Sequence, residues 1–588
     1  MSSRQPSTPI DKIWLAGYPA GVPAEIDPDK YSSLVDVFDD SVARYGERPA
    51  FVNFGVVMSY RQLGERSRAF AAFLQNELRL DKGSRLAIMM PNLLQYPTVL
   101  FGALRAGLIV VNTNPFYTQR ELEHQLQDCG ATTIVVLDTF AHVLASCIER
   151  TSVRHVIVSK AGDMLPLAQR LLVNAAAKYL SRTLPSYHLP NAISLRRALE
   201  RGAKLKMQTV AVKPDDLALL QYTGGTTGPA KGAMLSHRNL TANLEQIAAW
   251  LAPFLKRGEE SIVTALPLYH IFSLTANCLT FMKLGGVNYL ITDPRNLRGF
   301  VRGLRNVPFT AITGVNTLFK GLLGTPGFSA LDFSRLKVSL AGGMALQESV
   351  ASRWKAVTGS TLIEAYGLTE ASPAACVNPL DLAAYNACIG LPLPSTEVCI
   401  QDDSGHLLGP RKVGELCIRG PQVMVGYWQR PIETASALSR EGWLHTGDVG
   451  EMLPDGFFRL LDRKKDMILV SGFKVYPNEV ETVIATHPGV REVAVIGVPD
   501  EHSGEAVMAI VVRGSPTLSE ADVREHCRSQ LTNYKRPKHI QFIAELPKTG
   551  VGKVARRELR ERFRSASDVP NDGPRRIRLT NPQPKTSA

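Results

Sequence analysis

Cysteine pairs, metal-ligand clusters and long apolar runs are all missing from this sequence. Its eight cysteines, at positions 129, 147, 278, 376, 388, 399, 417 and 527, are scattered over 588 residues. None forms a C-x-x-C pair, and no His/Cys cluster has zinc spacing. That excludes a zinc-finger or disulfide-stapled scaffold. Buried, reduced thiols in a reducing compartment are expected instead. The opening MSSRQPSTPIDKIW lacks the apolar core of a signal peptide. The longest apolar run, near residues 99–111, is interrupted by Arg105 and ends at Asn112. It is too short and too polar to span about 30 Å of hydrocarbon. A cytoplasmic protein is expected, soluble or peripheral on the inner face of the cytoplasmic membrane.

What is present begins with charge. The formal net charge is +13, which favours polyanionic partners: nucleotides, coenzyme A, anionic lipid or nucleic acid. Charge alone does not choose among them, but no nucleic-acid recognition motif is found, so nucleic acid is not expected as a partner. A composition of 45% hydrophobic and 21% charged residues is that of a globular chain long enough for several folding units.

Strand-like and helix-like segments alternate. Residues 85–90, 108–111, 132–137 and 155–158 are short apolar runs, mostly rich in β-branched residues, and residues 120–128 carry a helical pattern. This predicts an α/β fold with largely parallel sheets and ligands beyond the strands' carboxyl ends. After Gly414 the texture changes to short strands and Gly/Asp turns. The charge run DRKKD, 462–466, reads as an exposed junction before a small α/β unit. In that unit, strands are expected at 493–496 and 506–512. A helix is expected from Thr517, where Thr517 and Glu520 have capping-box spacing. The stretch 564–588 has no apolar periodicity and is expected to be disordered.

The strongest local signal is YTGGTTGPAKG, comprising Tyr222, Thr223, Gly224, Gly225, Thr226, Thr227, Gly228 and then Lys231. Glycines free the backbone to wrap around a ligand, while hydroxyls, N–H groups and a lysine suit phosphate oxygens. It is not a Walker A loop, because no G-K-[ST] stands at the required spacing. Farther on, a strand-like 337–340 runs into Ala341, Gly342 and Gly343, where bare backbone suits a flat base.

The phosphate-loop string is similar to that of the adenylate-forming superfamily: acyl-CoA synthetases, luciferases and peptide-synthetase adenylation domains. The likeness runs from about residue 12 to 562. In YPAGVPAEIDPDKY, MMPNLLQYP, ALPLYHIF, YGLTE, GWLHTGDVG and DRKKDMILVSGFKVYPNEVE the chain closely resembles the bacterial long-chain fatty-acid–CoA ligases.

The resemblance implies a large AMP-binding domain (1–462) of layered α/β sheets with a small β-barrel-like subdomain. It also implies a small, mobile α+β domain (463–563). The substrates would be a long-chain fatty acid, ATP and coenzyme A, with Mg2+, and the pathway fatty-acid degradation. The fatty carboxylate would form acyl-AMP, and the thiol would then displace AMP.

Roles follow by motif. Tyr366 and Gly367 would border adenine with Gly342 and Gly343. Thr369 would touch the α-phosphate and Glu370 would hold Mg2+, since a carboxylate beside a triphosphate needs a bridging cation. Asp448 would accept from both ribose hydroxyls, with Arg463 reaching the same nucleotide. Lys553 would enter for the first step and stabilise charge where carboxylate and α-phosphate join. Lys465 would be the hinge, and Gly472 would let the thiol arm pass. His270 would separate acyl site from thiol tunnel, or serve as a core residue. Ile271 and Phe272 follow it, where amino-acid-activating relatives carry a carboxylate; that points to a plain fatty acid. Residues 313–319 would line an acyl tunnel or form core helix.

Residues 165–183 form an amphipathic pattern. Ala168, Leu171, Leu172, Ala175, Ala176, Tyr179 and Leu180 lie on one side, and Arg170, Asn174, Lys178 and Arg182 on the other. The apolar side would enter a membrane interface or pack on the protein. Related readings stay open: a medium-chain acyl-CoA synthetase, a fatty acyl-AMP ligase, a non-catalytic carrier, and a homodimer. The ending KTSA disfavours a luciferase.

Overall fold

The computed structural model describes residues 11–180, 186–223, 230–549 and 552–563. It forms two units: Met1–Lys464 with Gly550–Lys553, and Lys465–Thr549 with Val554–Ala588.

The first unit contains two large sheets. In the eight-stranded sheet, Arg85–Met89 lies between Ile109–Asn112 and Thr133–Leu137, all parallel. His155–Ser159 and Ile193–Ser194 extend one side. Leu217–Thr223 extends the other, and Lys231–Ser236 returns antiparallel to it. Thr133–Leu137 and Ile109–Asn112 are buried throughout, which is why their sequences are continuous apolar runs rather than alternating ones. The nine-stranded sheet has Ala311–Gly314, Val338–Gly342 and Leu362–Gly367 side by side and parallel, then Ala374–Val377 antiparallel.

Helix boundaries follow local chemistry. The helix read at 120–128 spans Gln119–Cys129. Thr118 and Glu121 form a capping box at its start, and Gly130 ends it in the left-handed region at φ 58°. The long apolar run belongs to helix Gln95–Arg105, buried on every side, and the strand after it. Arg105 Nε donates to Ser67 Oγ at 3.1 Å, and its guanidinium pairs with Asp39. Among the described residues no helix is long and apolar enough to cross a membrane.

A five-stranded antiparallel sheet, Glu397–Gln401 to Phe458–Arg463, completes this unit. All eight cysteines are buried free thiols, and Cys399 faces Cys417 across this sheet.

The second unit is built on a hairpin, Val490–Asp500 against Gly504–Arg513. Its strands are longer than the 493–496 and 506–512 expected, because pairing continues to the Asp500–Gly504 turn. His539–Ile543 adds in parallel. The helix expected from Thr517 instead spans Glu520–Gln530, with Ser519 and Asp522 as its capping box. Two overlapping boxes competed. Leu518 settles the choice by burying itself in the core, which leaves Ser519 at the cap. The charge run 462–466 also departs from a fully exposed junction. Only Lys464 and Lys465 are exposed, while Asp462 and Asp466 are buried. Asp466 Oδ1 accepts from Arg560 Nη1 at 2.8 Å, so its charge is compensated within the unit.

Candidate active site

The neck of the glycine-rich loop is a ladder rung, with Thr223 opposite Lys231. Gly224, Gly225, Thr226, Thr227 and Gly228 lie outside the described residues. Tyr222 turns its ring into the core. Its hydroxyl donates to Asp128 Oδ2 at 2.6 Å, and Arg430 Nη2 donates to Asp128 Oδ1 at 2.6 Å. Burial first, and Asp128 among the other causes, push the phenol's pKa up, so it stays a protonated donor. Tyr222 therefore anchors the neck of the loop to Asp128. A methyl on Gly232 would stand 3.1 Å from the Tyr222 ring, a tight contact that the ring would have to yield to.

Lys231 Nζ lies 5.4 Å from the centre of the Tyr427 ring. The Tyr427 hydroxyl in turn donates to Glu370 Oε1 at 2.7 Å. Thr369 and Glu370 sit in a short 3-10 turn, Thr369–Ala371, and Met424 N donates to Glu370 O at 2.8 Å. A cation, a phenol and a carboxylate are thus lined up beside the loop neck. Gly367 has a packing duty: a methyl there would stand 2.1 Å from Pro373 O, where the chain doubles back into Ala374–Val377.

Asp448 and Arg463 are direct partners across the antiparallel pair Leu444–Met452 and Phe458–Arg463. Arg463 Nε lies 3.0 Å from Asp448 Oδ1, and the Tyr366 hydroxyl donates to Asp448 Oδ2 at 2.6 Å. Asp448 is 2% exposed. A carboxylate has about four lone-pair directions, so a clamped Asp448 can still accept from two hydroxyls.

Val338–Gly342 delivers the two glycines. A methyl on Gly342 would stand 3.1 Å from the Phe272 ring, and Gly343 has φ +78°. A methyl on Gly343 would lie 3.7 Å from Lys553 Cε, so Lys553 reaches the end of this strand. His270 is on the same side. Its Nδ1 accepts from Phe272 N at 3.3 Å, which leaves the ring proton on Nε2. Burial first, then the Lys553 charge, lower its pKa to about 4, so the imidazole is neutral near pH 7. Of residues 313–319, Phe319 is core and packs edge-on against Trp354 at 4.7 Å, and the Thr313 hydroxyl donates to Asn277 at 2.9 Å. Val315 stays beside Gly343. In the second unit, Gly472 has φ +83° with no atom within 4 Å of where a methyl would sit, and Lys465 is exposed.

The sequence matches the AMP-binding enzyme family over residues 38–428, and its C-terminal domain over residues 479–553. The chain belongs to the AMP-binding enzymes. It is 58% identical to a long-chain-fatty-acid–CoA ligase of Escherichia coli O157:H7 over 559 residues, 95% of this chain and 100% of that one. It is 50% identical to a Haemophilus influenzae protein of the same description, over 94% of this chain and 98% of that one. Among solved structures, ATP-bound MatB from Rhodopseudomonas palustris superposes with TM-score 0.77 at 27% identity, covering 90% of this chain and 99% of that one. The anthranilate CoA ligase AuaEII, at 23% identity, shares the fold with TM-score 0.81, covering 92% of this chain and 100% of that one.

In this AMP-binding enzyme the motifs are held by polar residues that sequence reasoning missed. Tyr96 donates to Asn112 Oδ1 at 2.6 Å and Asn112 Nδ2 donates to Gln221 Oε1 at 2.9 Å. Gln221 Nε2 then donates to Tyr269 O at 2.9 Å. This buried chain ties the strand leading into the phosphate loop to the residue before His270. Asn92 reinforces it, donating to Leu266 O and accepting from Leu268 N. The available signal was polar side chains set inside apolar runs, since a buried amide must find partners. Asp128 and Tyr427 had no such signal. Glu364 was also missed. It stands two residues before Tyr366, and burial pushes its carboxyl up to about 8 despite the bond from Leu346 N.

Proposed function

We propose that this enzyme activates long-chain fatty acids with ATP and passes them to coenzyme A, giving acyl-CoA, AMP and pyrophosphate. The full-length likeness to long-chain-fatty-acid–CoA ligases carries this reading. Support for adenylation comes from the geometry at one strand end: Lys553 beside Gly343 and His270, with Tyr366 on the neighbouring strand and bonded to Asp448 of the five-stranded sheet.

In this reading Gly342, Gly343 and Tyr366 border the adenine, and Asp448, clamped by Tyr366 and Arg463, takes the ribose. The loop from Thr223 to Lys231 wraps the phosphates, and Thr369 meets the α-phosphate. The Lys553 ammonium stabilises the charge that builds as carboxylate and α-phosphorus join; catalysis is mostly positioning and preorganised charge. Neutral His270 divides the acyl side from the thiol side, and the buried Ile271 beside it offers no partner for a substrate ammonium. Gly472 gives the pantetheine arm an open backbone, and Lys465 is the hinge.

Glu370 suits magnesium. Among the described residues no three His, Cys, Asp or Glu side chains converge as a metal site. Mg2+ favours one or two carboxylates, water and substrate phosphates over an all-protein cage. When bound it would neutralise phosphate charge; Tyr427 orients the carboxylate that holds it.

We also propose that the enzyme works peripherally at the inner face of the cytoplasmic membrane, supported by its +13 charge and by fatty acids residing in bilayers. The test of activity is direct. Palmitate and ATP should release pyrophosphate, and added coenzyme A should yield thioester. Pyrophosphate without thioester would reduce the enzyme to an acyl-AMP ligase. A kcat/KM series peaking at medium chains would overturn the long-chain assignment.

A further inference from the structure

Helix Leu167–Leu180 turns a mixed face to the protein. Asn174 Oδ1 accepts from Gly162 N at 2.8 Å, Arg170 is half-buried, and Val173 packs against the core. A methyl on Gly162 would stand 2.9 Å from Arg170 O, so the helix seats tightly on that glycine. Its apolar side faces out. Leu167, Leu171 and Leu172 are 61%, 61% and 71% exposed, and Ala168, Ala175 and Ala176 are exposed among them. Among the described residues, Leu167, Leu171 and Leu172 of this face do not pack on the protein. A clustered apolar face in solvent marks an interaction surface.

Beneath the helix lies a cavity of about 420 Å³. Lys160, Arg170 and Arg196 line it, with Tyr187 and Ser194. It sits at the carboxyl ends of the parallel strands His155–Ser159 and Ile193–Ser194, where open α/β sheets usually place ligands. Its one lining carboxylate, Asp163, is turned to the backbone, accepting from Lys160 N at 2.8 Å and from Ser159 Oγ at 3.3 Å. Arg196 also meets Glu200 at 3.3 Å outside the lining, so with Asp163 the site holds three cations and two carboxylates, a surplus of one positive charge that favours an anion.

We propose that this face docks on an anionic phospholipid membrane. Leu167, Leu171 and Leu172 enter the acyl layer while Lys160, Arg170 and Arg196 take a headgroup phosphate. This names the site for the peripheral reading above and rests on it. Apolar residues beside clustered cations are the composition of an interfacial helix. A second copy of the chain is disfavoured as occupant, because both copies carry +13 and would bring the same cations together.

The test is co-sedimentation of the full chain with vesicles. Wild type should bind phosphatidylglycerol–phosphatidylethanolamine vesicles about tenfold or more tighter than phosphatidylcholine vesicles. Leu171→Glu with Leu172→Glu, and separately Lys160→Glu with Arg196→Glu, should each weaken that binding about tenfold or more. Both should keep wild-type circular dichroism and wild-type turnover of fatty acid supplied without vesicles. Failure of the wild type to bind overturns the peripheral reading itself. Binding by wild type and the leucine variant alike overturns this site and leaves that reading standing. Undiminished binding by the Lys160/Arg196 variant overturns the headgroup assignment. A wild-type dimer that the leucine variant dissolves replaces the membrane with a second copy.

Discussion

The Tyr366 hydroxyl and Asp448 Oδ2 meet at 2.6 Å across 82 residues of sequence. With Arg463 paired to the other oxygen, the carboxylate is held from two sides. Tyr366→Phe keeps the ring and removes the donor. A buried acceptor left unpaired costs about 1–3 kcal/mol. We expect KM for ATP to rise about tenfold with a smaller fall in kcat, measured by pyrophosphate release at varied ATP. An unchanged KM would assign the pair to stability alone.

Lys553 at the Gly343 strand end should matter for one half-reaction only. Lys553→Ala should slow adenylation by about 10²–10³-fold, the scale of losing one transition-state donor. Thioester formation from supplied acyl-AMP should survive far better. Rapid-quench assays of the two halves decide it; equal losses would remove Lys553 from its role.

Tyr427 acts through Glu370. Tyr427→Phe frees the carboxylate to rotate, and residues that orient a metal ligand are typically worth 10–100-fold in metal affinity. The Mg2+ concentration for half-maximal adenylation should rise about tenfold, while KM for fatty acid stays put. A Mg2+ curve that does not move would separate Tyr427 from the metal.

Glu364 and His270 give opposite pH dependences. The folded Glu364 carboxyl is raised from 4.5 to about 8, so the native state holds a proton that the unfolded chain releases. Its contribution is fully present below about pH 4.5 and is lost as pH rises through 8. His270 is lowered from 6.5 to about 4, so its contribution is present above 6.5 and lost as pH falls through 4. Glu364→Gln should match wild type in Tm near pH 5 and exceed it by a few °C, about 2–4 °C, near pH 9. Thermal melts across pH check this, and a constant difference would show that Glu364 does not titrate there.

Much of the site was legible because its chemistry is local. A glycine-rich loop after a strand, a carboxylate in YGLTE and a lysine following Gly-Val-Gly each carry their reason within a few residues. Asp448 was singled out by its motif, but its clamp was not legible, since Tyr366 reaches it only through two different sheets. The Tyr96–Asn112–Gln221 chain was hidden for the same reason: three separate elements share one set of buried bonds. The helix start at Ser519 rather than Thr517 turned on which side Leu518 could bury.

By itself the sequence determined the alternation of strands and helices, the order of the motifs and the kinds of group available for adenylation. Those follow from periodicity, backbone freedom and charge, which act over short spans. Tertiary structure alone decided where side chains point. It turned the Tyr222 phenol inward onto Asp128 and made it an anchor. It also set helix Leu167–Leu180 with Leu167, Leu171 and Leu172 outward. A 3.6-residue period defines two faces without saying which one meets the core, and the Asn174–Gly162 bond supplied that answer.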